Sequence, residues 1–370
     1  MYYNTIEIQN ILTTTLNQEG SRMKNQLLLL ISCAIIFFGC SKNNPTAPPI
    51  VPPEAKGVYI LNEGNFNRNN STLTYYVPDS NKVYDNIFES VNQKKLGDTG
   101  NSITIYNGKA YIVVNGSNRI EIVDTKTQKS MGAITCPDGA SPRHIVFTDA
   151  GKAFISNLYD NSVSEADVTA NTITGKISVG TNPEEMFAAG DYLYVTNSGF
   201  GKGRTVSVIN VNMKAVVKTL TVGDNPIHIR RWNTTTAVVL CGGDIGNFSD
   251  PNDDTPGKIF FINLANESIS DSMTVGGHPF KIAIDDNNNL FTIGSKGVMR
   301  MNLLTKTILS DSFIAGNFYS VAYDAQRKQL YATDPKDYVQ PGTVSIFDLN
   351  GALLRSFGAG VNPGWISFVE

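Results

Sequence analysis

Short runs of alternating apolar and polar residues recur along the chain, and each run ends in Asn or Asp. Five copies share this pattern, at residues 57–62, 108–115, 151–157, 190–197 and 328–334. Period-two alternation bounded by turn residues is the signature of a half-buried β-strand. The repetition of one strand and one turn predicts a repeat architecture made of many short strands.

A second motif, Gly-x-x-Pro, lies upstream of these strands and sets the length of the repeat. Counting two degenerate copies, it begins at seven glycines spaced 40–53 residues apart: Gly97, Gly139, Gly180, Gly223, Gly276, Gly316 and Gly360. Seven repeats of this length predict an all-β, seven-bladed β-propeller with four antiparallel strands per blade. In the blade at 143–179, we expect strands at 144–148, 153–157, 163–168 and 172–179.

The two ends of the repeat region indicate how the ring closes. The region starts at Val58 with a strand that matches the second strand of a blade. It finishes at 364–369 with a strand that matches the first strand of a blade. We therefore expect the C-terminal strand to pair with the N-terminal three strands, which removes two exposed sheet edges.

The segment Tyr194-Val195-Thr196-Asn197, with Gly-x-x-Pro before it, resembles the YVTN family of seven-bladed β-propellers. Residues 61–66 and 96–101 resemble a narrower group, the surface lipoprotein propellers associated with nutrient uptake, some of which capture cobalamin. The resemblance extends over nearly all of the chain from residue 57. It implies a corrinoid as a possible ligand and an outer-membrane transporter as a possible partner.

The N-terminal region reads as an export signal. A basic start at 23–26 precedes an apolar run at 27–38 that is too short to span a bilayer and ends at Cys40. This ending resembles a bacterial lipobox, which implies lipidation of Cys40. We expect residues 1–22 to precede the true start at Met23, residues 23–39 to be a signal peptide, 40–56 a Pro-rich spacer and 57–370 the propeller. The predicted location is the cell envelope, anchored by lipid in the outer membrane, facing either the periplasm or the cell surface.

Composition narrows the classes of partner. The formal net charge of −3 lacks the basic footprint of a nucleic-acid-binding protein, so no nucleic-acid partner is expected. Of four cysteines, Cys136 and Cys241 remain in the propeller, where we expect buried thiols rather than a disulfide. The domain is expected to be monomeric.

Loop lengths predict which face binds. In each blade the connection from the second to the third strand lies on the same face as the Gly-x-x-Pro turn, and four of these connections are long, at 63–70, 198–204, 242–257 and 335–342. Long irregular loops are often functional. Their amide and aromatic side chains are candidate ligand contacts: Asn65, Phe66, Tyr159 and Phe200, together with Phe248 and Tyr338.

Aligning the blades on the proline position separates core from candidate site. The residues three positions after the proline position are all apolar, which predicts that they lie in the core. The residues two positions after it are chemically mixed and lie on the innermost strand. They are Ser102, His144, Glu185, His228, Lys281, Val321 and Trp365. Neighbouring positions complete the candidate ligand-binding set with Asn101, Arg143, Phe280 and Tyr319.

Two functional hypotheses follow, and a third leaves the ring as a scaffold for protein contacts. In the first, the ring binds a polar ligand by hydrogen bonds and stacking. In the second, His144, Glu185 and His228 form a metal or acid–base site with Lys281 beside it, as in propellers that act as lactonases or lyases. Asp250, Asp253 and Asp254 are either a calcium site or a solvated acidic loop.

Overall fold

The computed structural model describes residues 56–246 and 251–369. The predicted signal peptide, the lipidation site at Cys40 and nearly all of the spacer lie outside these ranges, as does Asp250. In the described part, no helix is long and apolar enough to cross a membrane.

Within these ranges the chain forms seven four-stranded antiparallel sheets, which we number as blades I–VII. The chain opens with three strands and one short helix: β1 (Gly57–Asn62), β2 (Thr72–Val77), β3 (Lys82–Tyr84) and α1 (Ile87–Asn92). Six blades then follow, each with four strands that are consecutive in sequence and paired in order. The predicted seven-bladed β-propeller is confirmed.

The first three of these blades are blade I with β4 (Gly100–Tyr106), β5 (Lys109–Val114), β6 (Arg119–Asp124) and β7 (Ser130–Thr135); blade II with β8 (Pro142–Phe147), β9 (Ala153–Asn157), β10 (Ser162–Asp167) and β11 (Thr172–Ser178); and blade III with β12 (Pro183–Ala189), β13 (Tyr192–Asn197), β14 (Thr205–Asn210) and β15 (Ala215–Thr221). The strands expected in blade II therefore differ from the observed ones by no more than two residues at either end.

The next three are blade IV with β16 (Pro226–Arg231), β17 (Thr236–Cys241), β18 (Lys258–Asn263) and β19 (Ser268–Thr274); blade V with β20 (Phe280–Ile284), β21 (Asn289–Gly294), β22 (Gly297–Asn302) and β23 (Thr307–Ala315); and blade VI with β24 (Ser320–Asp324), β25 (Gln329–Asp334), β26 (Pro341–Phe347) and β27 (Leu353–Val361).

Blade VII closes the ring as expected. The last strand, β28 (Pro363–Val369), pairs antiparallel with β1, so that Val58 lies opposite Phe368 and Ile60 opposite Ile366. The first strand of each blade contacts the first strand of the next blade in a closed cycle. These seven strands therefore surround a central channel, and the fourth strands lie at the outside.

Seven apolar clusters form the core, one between each pair of neighbouring blades. The middle strands are buried on both faces, as in β9, whereas the outer strand β11 alternates exposed and partly buried residues. Each blade buries its faces only against its neighbours, so the ring depends on every interface.

The repeated Asn at the strand ends has a structural role. The side-chain amides of Asn62, Asn157 and Asn197 each donate to two hydroxyl groups on the third strand of the same blade, at distances of 2.8–3.1 Å. The glycine of the Gly-x-x-Pro motif packs against this Asn: a Cβ at Gly180 would lie 2.6 Å from the side chain of Asn197. The two motifs therefore form one packing unit.

The long loops and the Gly-x-x-Pro turns lie on one face, as predicted, and we call it the loop face. The backbone N–H groups of Leu158 and Ser198, which follow second strands, each donate at 3.0 Å to a turn carbonyl, at Ser141 and Asn182 respectively. In four of the five Gly-x-x-Pro turns the residue before the proline adopts a left-handed conformation, for example φ 50° at Asn182, which Asn tolerates better than most residues.

Candidate functional site

The candidate site lies on the loop face, at the mouth of the central channel, where the first strands of the blades begin. Most of these strands carry a β-bulge at their first residues, for example between Pro226 and His228 and between Phe280 and Ile282. A bulge bends the strand and redirects its side chains, and bulges are frequent beside functional sites. The bulges therefore set the direction of the residues that follow each proline position.

Glu185 is the centre of a polar cluster that joins blades II, III and IV. One of its oxygens, Oε2, lies 3.1 Å from Nδ1 of His228 and accepts a hydrogen bond from the backbone N–H of Ile229 at 3.1 Å. The other, Oε1, pairs with Arg230 and lies 3.9 Å from Nδ1 of His144. The Glu185 side chain is only 3% exposed, so these partners supply nearly all of its solvation.

Electrostatics fix the charge states in this cluster. Burial opposes ionisation of Glu185, but Arg230 and the hydrogen bond from His228 outweigh it and lower the pKa of the carboxyl group. Burial lowers the pKa of His228 to about 4, against the opposing influence of Glu185, and it also lowers the pKa of His144 well below the usual range. At neutral pH the cluster therefore contains an ionised carboxylate and two neutral imidazoles.

Trp365 lies beside this cluster on blade VII. Its indole N–H donates to the backbone carbonyl of Ile103 at 3.0 Å, which fixes the ring against blade I. The ammonium of Lys281 lies 5.1 Å from the ring centroid, and the guanidinium of Arg230 lies 5.6 Å from it. The ring of His144 is also close, with centroids 5.1 Å apart. Trp365 is thus surrounded by cationic and polar side chains, a geometry that cation–π attraction favours.

A second acidic group completes the mouth. Glu63, at the end of β1, accepts a hydrogen bond from the hydroxyl of Tyr319 at 2.9 Å. Burial raises the pKa of Glu63, and Lys281 and Tyr319 oppose this shift. Burial likewise lowers the pKa of Lys281, with Glu63 and Glu185 opposing. The carboxyl group of Glu63 and the ammonium of Lys281 therefore both lie at the channel mouth, and burial shifts their pKa values in opposite directions.

Two of the candidate residues hold the backbone of a neighbouring blade, and a third pairs with a side chain of the blade after it. Asn101 and Ser102 both donate to the carbonyl oxygen of Arg143, at 2.5 and 2.8 Å. The guanidinium of Arg143 in turn pairs with Glu184 at 2.7 Å. These contacts tie blade I to blade II and blade II to blade III, beside the polar cluster.

A cavity of about 260 Å³ occupies the channel on the side of blades IV–VII. His228, Lys281, Ser320 and Trp365 line its part near the loop face, and side chains such as Ile284 and Phe368 line the part further along the strands. The cavity is slightly smaller than a typical ligand pocket.

Five of the candidate aromatic residues form two groups away from the polar cluster, whereas Phe248 lies outside the described residues. Tyr159 is 63% exposed and Phe200 41% exposed, with ring centroids 5.8 Å apart. About three blades further round the ring, Tyr319 contacts both Phe280 and Tyr338, with centroid distances of 6.5 and 5.7 Å.

In the 63–70 loop, Asn65 contacts a neighbouring loop, whereas Phe66 is exposed to solvent. The Asn65 side chain donates to the carbonyl of Tyr338 at 2.8 Å, which joins the loops of blades VII and VI. Phe66 is 60% exposed. The candidate set is therefore split between an axial cluster and a wider aromatic rim.

Three charged residues of the site were missed by the alignment on proline positions. Arg230 lies two residues after His228 on the same strand, so period-two alternation alone places both on one side. Glu184 occupies the position next to Glu185. Glu63 was visible only as part of a long loop, and nothing in the local pattern connects it with Tyr319.

The arrangement of His144, Glu185 and His228 can be compared with what a metal site requires. His144, Glu185 and His228 do come together, but no group of three or more His, Cys, Asp and Glu side chains within residues 56–246 and 251–369 is arranged to hold a metal ion. Arg230 already provides the positive charge beside Glu185. Of the acidic loop, Asp254 lies 3.3 Å from Nε2 of His278.

Comparison with known proteins supports the fold and leaves the activity open. Residues 56–230 match the family model described as "Domain of unknown function (DUF5074)". No curated protein matches the chain. Among solved structures, a quinonprotein alcohol dehydrogenase-like protein from Bacteroides thetaiotaomicron has a TM-score of 0.64 and 16% identity, over 85% of this chain and 79% of that one.

Kuenenia stuttgartiensis hydrazine synthase has a TM-score of 0.57 and 18% identity, over 72% of this chain and 88% of that one. At these identities the similarity shows the propeller fold alone. Because 1245 chains of solved structures match, the fold by itself does not discriminate among functions.

Proposed function

We propose that this protein is a lipid-anchored, extracytoplasmic binding protein that captures a small polar ligand at the mouth of its central channel. The observation that carries the proposal is Trp365, which lies beside a cavity with Lys281, Arg230 and His144 around its ring. An apolar ring with a few fixed polar groups is the usual composition of a ligand site.

The charge states favour binding over the lactonase or lyase alternative. A general base must be able to take up a proton near the working pH. Glu185 is held ionised by Arg230 and His228, with its pKa lowered, and burial leaves both imidazoles weakly basic. Arg230 also pairs with Glu185 and so competes with a divalent ion for its carboxylate. The cluster is therefore suited to presenting fixed hydrogen-bond donors and acceptors.

A corrinoid remains the particular ligand suggested by the resemblance of residues 61–66 and 96–101. A cavity of about 260 Å³ is smaller than the pockets that usually enclose drug-sized ligands, and a corrinoid is larger than such ligands. A corrinoid would therefore lie across the loop face, over the exposed rings of Tyr159 and Phe200. Such an exposed complex suits transfer of the ligand to an outer-membrane transporter.

The test of ligand capture is calorimetric titration of the purified full-length protein with cobalamin. The variants are Tyr159→Ala and Phe200→Ala, with Trp232→Phe as the control because Trp232 packs against Phe261 and bonds to Asn288, away from the exposed rings. Binding that weakens in the first two variants and not in the control supports the corrinoid hypothesis.

If cobalamin does not bind, the corrinoid hypothesis is rejected and the broader proposal of a small polar ligand still stands. That remaining proposal is tested by thermal-shift screening of small polar compounds. It fails if no compound stabilises the wild-type protein in a manner that depends on Trp365.

The lipid anchor has a separate test. Metabolic labelling with a fatty-acid analogue should modify the wild-type protein and not a Cys40→Ala variant, and only the wild type should fractionate with the outer membrane. Protease digestion of intact cells then distinguishes the cell surface from the periplasm. Equal labelling of the two proteins would contradict lipidation at Cys40.

A further inference from the structure

The side-chain ammonium of Lys281 differs from the other cations at the channel mouth. The guanidinium groups of Arg230 and Arg143 each pair with a carboxylate, on Glu185 and Glu184. In the part of the chain that the structure describes, the Lys281 ammonium lies over the Trp365 ring and feels the charges of Glu63 and Glu185 without a direct hydrogen bond or ion pair to either. Lys281 also lines the cavity. One positive charge at the mouth thus lacks a directly bonded anion.

The backbone holds this side chain in place. Lys281 has a φ of 60°, in the left-handed region, and it falls within the bulge between Phe280 and Ile282. The hydroxyl of Thr292 donates to the carbonyl oxygens of Phe280 and Lys281, at 3.2 and 2.8 Å. Unfavourable backbone conformations of this kind persist where the surroundings over-determine them, and they concentrate at ligand sites.

The charges around Lys281 leave room for one more anion. Glu63 and Glu185 attract its ammonium, and Arg143 and Arg230 repel it. Burial nevertheless lowers the pKa of Lys281 and raises the pKa of Glu63. Both shifts indicate that the two charged groups lose hydration at the mouth, and that their interactions with other protein groups do not fully compensate for this loss. An anionic group beside the ammonium would supply a charge-assisted hydrogen bond, which is stronger than a neutral one.

The rest of the cavity specifies the remainder of the ligand. Away from Lys281 its wall includes Ile284, Ala322 and Phe368, which offer dispersion contacts, and it also includes the polar side chains of Arg231 and Tyr323. A ligand that extends from Lys281 between Ile284 and Phe368 therefore has a charged end and an apolar part.

We propose that the cavity binds a small organic anion, whose carboxylate or phosphate group contacts Lys281 and whose apolar part extends between Ile284 and Phe368. This inference rests on the proposed function, because it names the chemical class of the ligand captured at Trp365.

The test is calorimetric titration of the full-length protein with matched probes. Butyrate and hexanoate carry the anion and the apolar chain, butyl phosphate replaces the carboxylate, and hexanol and hexylamine lack the negative charge. The variants are Lys281→Met, which keeps the side-chain length without the charge, and Lys281→Arg, which keeps the charge. Lys202→Met is the matched control, because Lys202 is an exposed lysine in a loop of the same face.

We expect hexanoate to bind the wild type and the Lys202→Met control equally. Affinity should fall at least about tenfold in Lys281→Met and recover in part in Lys281→Arg, since hydrogen bonds to charged groups have this magnitude. Hexanol and hexylamine should bind at least about tenfold more weakly than hexanoate. The relative affinities of hexanoate and butyl phosphate decide between carboxylate and phosphate.

Two outcomes would overturn the inference: equal affinity of hexanoate for the wild type and Lys281→Met, or no binding of any anion in the series. If a neutral or cationic compound still binds in a manner that depends on Trp365, the proposed function stands without the anion. If no compound of any charge binds, both fail.

Discussion

Glu185 on blade III and His228 on blade IV meet at the channel mouth, with 3.1 Å between the carboxylate oxygen Oε2 and the ring nitrogen Nδ1. Because the carboxylate accepts, Nδ1 of His228 carries the proton, and its Nε2 is left as an acceptor. The contact fixes the tautomer of a candidate ligand-binding residue and links two blades that share an apolar interface. Stability and the candidate site are therefore coupled through one carboxylate.

Replacing Glu185 with Gln should destabilise the whole propeller. The change leaves Arg230, whose side chain is 35% exposed, beside a neutral amide. Breaking a fully buried ion pair typically costs about 3–5 kcal/mol, and solvent reaching Arg230 should bring the loss to the low end of this range or below it. Equilibrium urea unfolding, followed by circular dichroism, measures the loss in the free energy of unfolding. The control is Asp311→Asn, which breaks an exposed ion pair with Lys296 and should leave stability nearly unchanged. Equal effects in the two variants would contradict the structural role of Glu185.

Stability should fall as the pH is lowered from about 6.5 to about 4. Over this range an unfolded histidine takes up a proton that His228 in the folded state does not, because burial holds its pKa at about 4. The unfolded state then binds more protons, so acid favours unfolding, by up to about 3 kcal/mol for one such group. His144 shifts in the same direction, and Glu185, with its lowered pKa, adds a further loss below about pH 4.5.

The measurement is the free energy of unfolding between pH 7.5 and pH 4 for the wild type and for His228→Asn. The variant should show a shallower decline, since it retains only the contribution of His144 over most of this range. A slope that is unchanged in the variant would show that His228 does not carry the pH dependence.

Removing residues 363–370 should destabilise all seven blades together. The deletion takes away β28, which supplies the innermost strand of blade VII, and it exposes apolar residues of two interblade clusters. Differential scanning calorimetry should show a lower midpoint and a smaller unfolding enthalpy for the whole domain. Glu370→Ala, at the last residue, is the control for a change at the C-terminus. An unchanged unfolding midpoint in the deletion would refute the closure of the ring.

Both propeller thiols should be unreactive until the domain unfolds. Cys136 and Cys241 are free and buried, and burial raises the pKa of each thiol to about 12. In a Cys33→Ser, Cys40→Ser background, a chromogenic disulfide reagent at pH 8 should label neither thiol in buffer and both in urea. Cys136→Ser and Cys241→Ser then assign the two reactions. Rapid labelling of the native protein would contradict the burial of the labelled cysteine.

Local motifs made the blade predictable from sequence. The Gly of Gly-x-x-Pro packs against the Asn at the strand end within one repeat, as Gly180 and Asn197 show, and the residue before the proline, Asn182, is left-handed. Each requirement follows from backbone geometry, so it recurs wherever the same turn is built. The missing first strand of blade VII was also visible, because the strand type at each end of the region differs.

The site was only partly predictable. The position two residues after each proline identified His228, Lys281 and Trp365 as residues facing the channel mouth, but it did not identify their partners. Arg230 was overlooked although it lies on the same side of the same strand as His228. The unpaired charge of Lys281 was not visible at all, because it depends on which acidic groups other blades bring near.

By itself, the sequence determined the number of blades, the strand order within each blade, the closing strand and the loop face. These properties repeat along the chain and depend on contacts within one blade or with the next. Only the tertiary structure decided that Glu63 meets Tyr319, 256 residues away in sequence, and that Glu185 is shared among three blades. The physical reason is that closure of the ring brings side chains together around one axis, and their charges and burial depend on all seven blades at once.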